Sequence, residues 1–118
     1  MNNNKAISRF FDLINERDLE GLEALLIENS EFYFPKTKPM VGKNRVIRFF
    51  KILFHKFPQL EFRTHRIIIQ GSKAAVHWSN QGMSRREEPY ENEGVTILEM
   101  EAGRIRFISD FFKDTEKF

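Results

Sequence analysis

Cysteine is absent from the 118 residues. Disulfides, thiolate nucleophiles and cysteine-based zinc sites are therefore excluded. No apolar run approaches the roughly 20 residues of a membrane span, and the start, Met1-Asn2-Asn3-Asn4-Lys5, is polar where a secretory signal is apolar. No membrane association is expected, and the expected location is the cytoplasm. Charge of one sign is also scarce: the formal net charge is +2, and runs such as Arg85-Arg86-Glu87-Glu88 interleave bases with acids. Nucleic-acid binding calls for a segregated basic stripe. Only Arg63 to Arg66 suggests one, and it reads better as the outer face of a strand. There is no nucleophile elbow and no glycine-rich phosphate cradle. His55, His65 and His77 do not cluster; His65 and His77 are placed to be cross-strand neighbours, but two histidines without a nearby carboxylate make a poor metal site, so no metal and no cofactor is expected.

What is abundant is phenylalanine: thirteen, against one Trp and two Tyr. Phe brings a large buried area and no polar tip, which suggests a core or cavity walled by rings. The length fits one domain, residues 1–118. Ile7, Phe10, Phe11 and Ile14 form one face of a first helix. Asp18 can cap a second, whose buried stripe is Leu19, Leu22, Leu25 and Leu26. Glu31 to Phe34 reads as a short strand stopped by Pro35, with a loop to Gly42. A third helix starts near Asn44 and buries Val46, Ile47, Phe50, Leu53, Phe54 and Phe57, a face broad enough to lie across a sheet and close a cavity.

From Leu60 the period changes to two. Leu60–Gln70, Ala74–Ser84, Tyr90–Met100 and Arg104–Phe112 read as four strands joined by turns at Gly71-Ser72 and Ala102-Gly103 and by a longer charged link at 85–89. Short links favour an antiparallel meander. The expected fold class is α+β, a curved antiparallel sheet packed against three N-terminal helices. Gly82 and Gly94 are read as bulges that sharpen its curl.

This order resembles the nuclear-transport-factor-2-like cone, and within it the SnoaL-like polyketide cyclases, limonene epoxide hydrolases and ketosteroid isomerases. The resemblance is carried by Val41-Gly42-Lys43, Pro89-Tyr90-Glu91-Asn92, Gly103-Arg104-Ile105 and Ser109-Asp110-Phe111-Phe112. It implies the cone fold, a cavity inside it and dimerisation through the outer sheet face. It does not imply one activity. The steroid isomerases' Asp-Pro base corresponds here to Phe34-Pro35. The epoxide hydrolases' Arg and Asp, two apart on one strand, correspond to Asn80 and Gly82. Their second Asp is matched by Asp110.

Asp110 is the candidate acid or base. A carboxyl among apolar side chains resists ionisation, so its pKa is expected to rise toward neutrality. The alternative is a structural Asp paired with Arg106 or bonded to backbone. Asn80 and Trp78 share a face with Val76, where Asn80 can hold a ligand oxygen and Trp78 can supply a wall with one N–H; alternatively both serve the core. Tyr90 and Asn92 share another face, with Tyr90 either polarising a carbonyl or sitting at the rim in water. Phe32 and Phe34 are read as an apolar ligand wall or as ordinary core. The partner expected is a small hydrophobic molecule, either turned over by a cofactor-free isomerase, cyclase, lyase or hydrolase or only bound. A third reading is a homodimerisation module using the sheet face of Arg63, His65, His77 and Ser79.

Overall fold

The computed structural model describes residues 3–116. Helix α1 (Asn3–Glu16) ends in a Schellman motif, with Arg17 left-handed at φ 58°. The Asp18 N–H bonds Leu13 O and the Arg17 N–H bonds Ile14 O. Asp18 then caps α2 (Leu19–Leu25) by accepting from the Gly21 N–H at 2.9 Å.

Strand β1 (Leu26–Tyr33) follows without a loop. It begins five residues earlier than the sequence suggests, so Leu26 belongs to the strand rather than to the helical stripe. A two-residue strand β2 (Met40–Val41) lies within the segment read as loop. Helix α3 (Lys43–Lys56) buries Val46, Phe50 and Leu53, with Ile47, Phe49 and Phe54 partly buried against the core.

The remaining strands are β3 (Glu61–Gln70), β4 (Lys73–Met83), β5 (Pro89–Glu101) and β6 (Arg104–Phe112). They form the expected antiparallel meander within one six-stranded sheet of order β2-β1-β6-β5-β4-β3. Among the described residues the single departure from antiparallel pairing is β1 beside β6, which run parallel. Three helices and a curved, unclosed sheet make the α+β cone that the sequence suggests. The Ala102-Gly103 turn has both residues left-handed, at φ 52° and 80°, as a two-residue hairpin of type I′ requires.

The bulges lie elsewhere than at the two strand glycines. The β4–β5 register runs unbroken through Trp78↔Gly94 and Gly82↔Tyr90. These glycines permit close approach: a Cβ on Gly94 would meet Phe111 O and lie 2.8 Å from Trp78 Cζ2, and one on Gly82 would meet the Gln59 backbone. In the meander the irregularities fall at His65, between the pairs Thr64↔Trp78 and Arg66↔His77, and at Arg106, between Met100↔Ile105 and Glu99↔Phe107, and the β1–β6 pairing shifts between Leu26 and Glu31. The second matters for the site. An extra residue resets strand alternation, so Ile105 and Ile108 both point inward and are fully buried. Arg106 is left on the outer face, ion-paired with Glu99 and Glu31.

Candidate functional site

The inner faces of β4, β5 and β6 converge under α1 and α3. Trp78, Asn80, Thr96 and Asp110 line a cavity of about 30 Å³, enclosed mainly by phenylalanine rings from both helices and from β1 and β3. Phe32 and Phe34 are in this wall, 6.0 Å apart between ring centres, and Phe49 of α3 packs on both. The sequence pattern places Phe49 outside the apolar stripe of α3. Its role follows from the way the helix rolls over β1.

A directed chain of hydrogen bonds runs through the polar members. The Trp78 Nε1–H donates to Thr96 Oγ1 at 2.8 Å, and Thr96 Oγ1–H donates to Asp110 Oδ1 at 2.6 Å. With Asp110 ionised the direction is fixed, because a carboxylate can only accept. An indole nitrogen can only donate, and a threonine hydroxyl has one hydrogen, so that hydrogen must go to Asp110. A protonated Asp110 that keeps this bond carries its own hydrogen on Oδ2, which has no partner among the described residues. Burial pushes the Asp110 carboxyl up to about 7, the hydrogen bond from Thr96 opposing the rise. The Arg106 alternative fails because the bulge turns that guanidinium to the opposite face.

Asn80 is 7% exposed, and its Oδ1 has no hydrogen-bond partner among the described residues. A buried acceptor left unpaired costs ~1–3 kcal/mol, so it is a feature to explain. Asn80 and Phe62 line both the inner cavity and an open groove between β3, the far ends of β4 and β5, and the segment after β6. Phe62 is fixed there by Asn15 of α1, whose side chain exchanges hydrogen bonds with the Phe62 backbone N–H and C=O at 2.7 and 3.0 Å.

Tyr90 and Asn92 do share a face, but it borders the groove and not the cavity. The reading of Tyr90 as a rim residue with its hydroxyl in water is corrected. It is 6% exposed, packs on Phe57 at 4.6 Å, and accepts a hydrogen bond from Asn92 Nδ2 at 3.0 Å. Burial raises its pKa. The Asn92 amide is also committed to the backbone of Asp114, through Nδ2 to O at 2.7 Å and from N to Oδ1 at 3.1 Å.

Thr96 is the functional candidate that sequence reasoning misses. Threonine is an ordinary strand residue, and only the register Val76↔Thr96↔Asp110 reveals its place. On the outer face, His65 and His77 are neighbours as expected, with ring centres 5.2 Å apart. His65 meets Ser79, and His77 meets Arg66 and Glu93; the expected lack of a nearby carboxylate is corrected, because the β4–β5 register brings Glu93 to 2.6 Å from His77 Nε2. Among the described residues no group of three or more His, Cys, Asp or Glu is placed to hold a metal, and no helix is long and apolar enough to cross a membrane.

The SnoaL-like domain family model matches residues 7–108. No curated protein matches the chain. Among solved structures, a candidate SnoaL-like polyketide cyclase from Jannaschia sp. CCS1 superposes with a TM-score of 0.85 at 18% identity, over 94% of this chain and 85% of that one. TerC co-crystallised with polyporic acid gives 0.84 at 19% identity, over 94% and 91%. An LEH-like epoxide hydrolase from M. tuberculosis gives 0.79 at 16% identity, over 94% and 82%. At these identities the likeness establishes the shared fold.

Proposed function

The chain belongs to the SnoaL-like domain family, and from that premise we propose that it is a cofactor-free acid–base catalyst. It acts on a small hydrophobic molecule, with Asp110 moving the proton. The reaction class is an isomerisation, cyclisation, elimination or hydrolysis, in which one group both gives and takes a proton. The observation that carries this reading is the Asp110 carboxyl. It is poised at about 7 beside a ring-walled cavity, with no cationic partner among the described residues. A structural aspartate would be held ionised by such a partner; a general acid or base works best near the ambient pH. Asn80 and Trp78 orient the substrate's polar end, and Phe32 and Phe34 supply its apolar wall. Tyr90 and Asn92 serve the groove by which it enters.

The test is turnover of a panel of small carbonyl and epoxide compounds by the native protein and by Asp110→Asn. Native activity that falls at least about 100-fold in a folded Asp110→Asn protein is the expected result, the usual scale of a general acid or base. Full activity in the variant would sink the proposal.

A second reading, a cytoplasmic homodimer built through the outer sheet face, is favoured by Phe111 at 60% exposure on that face and Ile68 at 69% on its edge strand. Both belong to cross-strand rows that also contain Val95, Ala75 and Ile97. Sedimentation of the native protein and of Phe111→Glu checks it. Two copies that dissociate on substitution are expected, and a native monomer ends the idea.

A further inference from the structure

We infer that the site selects an uncharged ring compound with a hydrogen-bond acceptor at one end and a donor at the other, the acceptor taking the Asp110 hydrogen and the donor meeting the Asn80 carbonyl oxygen. This rests on the acid–base reading above and narrows its substrate.

The polarity of the two ends follows from the hydrogen-bond chain. Trp78 donates to Thr96 and Thr96 donates to Asp110 Oδ1; a neutral Asp110 that keeps this bond carries its own hydrogen on Oδ2 and offers that Oδ2–H to the cavity. At the other end, Asn80 presents an orphaned acceptor, buried with its residue at 7% exposure. A ligand that satisfies both must donate at one end and accept at the other. A charged ligand is disfavoured because the rest of the wall is phenylalanine and aliphatic carbon, and isolated charge in such surroundings is costly.

Register sets the spacing of the two ends. Asn80 sits opposite Asn92, and Asp110 opposite Thr96, on the same intervening strand β5. Their strands are therefore two spacings apart, roughly 10 Å, and their positions are also offset along β5 by the four residues from Asn92 to Thr96. Curvature draws the inward-pointing side chains together but leaves them at opposite ends of the cavity. The offset adds roughly 13 Å along the strand, so a vicinal pair of oxygens cannot reach both; a donor and an acceptor carried at opposite ends of a ring compound are the nearer match.

The cavity of about 30 Å³ admits a water-sized group as it stands, whereas an apolar cavity known to take benzene is ~150 Å³. Phe49 and Phe62 are only partly buried, and Phe62 separates cavity from groove, so these are the rings that yield. The hydroxyl end is then held at the groove side by Asn80, and the carbonyl end goes inward to Asp110.

The probes are 4-hydroxyacetophenone, acetophenone (acceptor only), 4-methylphenol (donor end only) and 4-acetylbenzoate (anionic). Binding is followed at pH 6 by the indole N–H resonance of Trp78, the single tryptophan. The expected order places 4-hydroxyacetophenone about tenfold tighter than acetophenone or 4-methylphenol, the worth of one hydrogen bond to a buried, otherwise unpaired group. Binding of 4-acetylbenzoate is expected to be weaker than that of acetophenone. Asn80→Leu should erase the advantage over acetophenone while leaving acetophenone itself bound. Asn80→Ala is the second variant should the leucine fail to fold. Equal affinities, an advantage that survives both variants, preferred binding of the anion, or no saturable shift from any probe would overturn the inference. The underlying reading fails separately, if the Asp110 carboxyl titrates in the ordinary carboxylate range.

Discussion

Replacing Thr96 by valine keeps the branched shape and removes the hydroxyl on which the geometry of the site turns. The ionised Asp110 then loses its hydrogen bond from Thr96, the one charge-stabilising contact it makes among the described residues. A hydrogen bond to a charged group is worth ~1.5–3 kcal/mol and one to a neutral group ~0.5–1.5. The neutral acid accepts the same bond, so only the difference, ~1–1.5 kcal/mol, acts on the titration. At 1.36 kcal/mol per unit this is about one unit. Removing a contact that favours the ionised form must raise the pKa, from about 7 to ~8. Carboxyl-carbon NMR titration of the native protein, Thr96→Val and Thr96→Ser measures it, with Asp110→Asn as the assignment control. The serine variant keeps the hydroxyl and should stay within about half a unit of native. A Thr96→Val protein that is folded and whose Asp110 titrates at or below the native value would refute the directed chain. A second consequence separates packing from hydrogen bonding. Thr96→Val also strands the buried Trp78 N–H, at ~1–3 kcal/mol of stability. Adding Trp78→Phe removes the stranded donor, so the double variant should lose less than the two single losses combined.

Asp110 also makes stability depend on pH. Its folded pKa is raised from 3.8 to about 7, so its contribution is complete below about 4 and is lost as pH rises through about 7, some 4 kcal/mol in all. Urea titrations at pH 5 and pH 8 should show a fall in native stability that Asp110→Asn lacks; an equal fall in both proteins would count against the raised value. Arg17→Ala should cost ~2–4 kcal/mol by thermal melting, because its guanidinium donates to the carbonyls of Asn15, Phe57 and Leu60. Arg17→Gly should recover ~1 kcal/mol of that loss by relieving the left-handed backbone, and a glycine variant no better than alanine would contradict it. Gly94→Ala should destabilise severely or prevent folding, since its Cβ has nowhere to go between Phe111 O and Trp78; a native-like melt would show that the strand can shift.

Periodicity carried most of the fold. The four long strands, the three helices and the inward set of Trp78, Asn80 and Asp110 all follow from apolar spacing and turn chemistry, because burial on one side of a sheet enforces a period of two. The polar network was less legible. Trp78 and Thr96 are diagonal neighbours across two strands, and nothing in either strand's own sequence aligns one with the other. The onset of β1 is hidden in the sequence for a related reason. Leu26 satisfies a helical stripe and a strand face equally well, and α2 passes into β1 with no Gly or Pro to mark the change.

The bulge at Arg106 shows what period-two reasoning cannot supply and why that matters chemically. Counted from Asp110, residues 106, 108 and 110 share a face, which would set a guanidinium on the carboxyl's side of the sheet. Such a pair would pull the Asp110 pKa down and leave an ionised, occupied carboxylate unable to donate. One extra residue in β6 instead sends Arg106 to Glu31 and Glu99. Asp110 is left with a neutral hydroxyl as its partner. Restoring strict alternation by deleting Arg106 and placing an arginine at 105 is therefore not a conservative repair. It buries a cation in the fully enclosed site of Ile105, and the acid function and the fold should fail together.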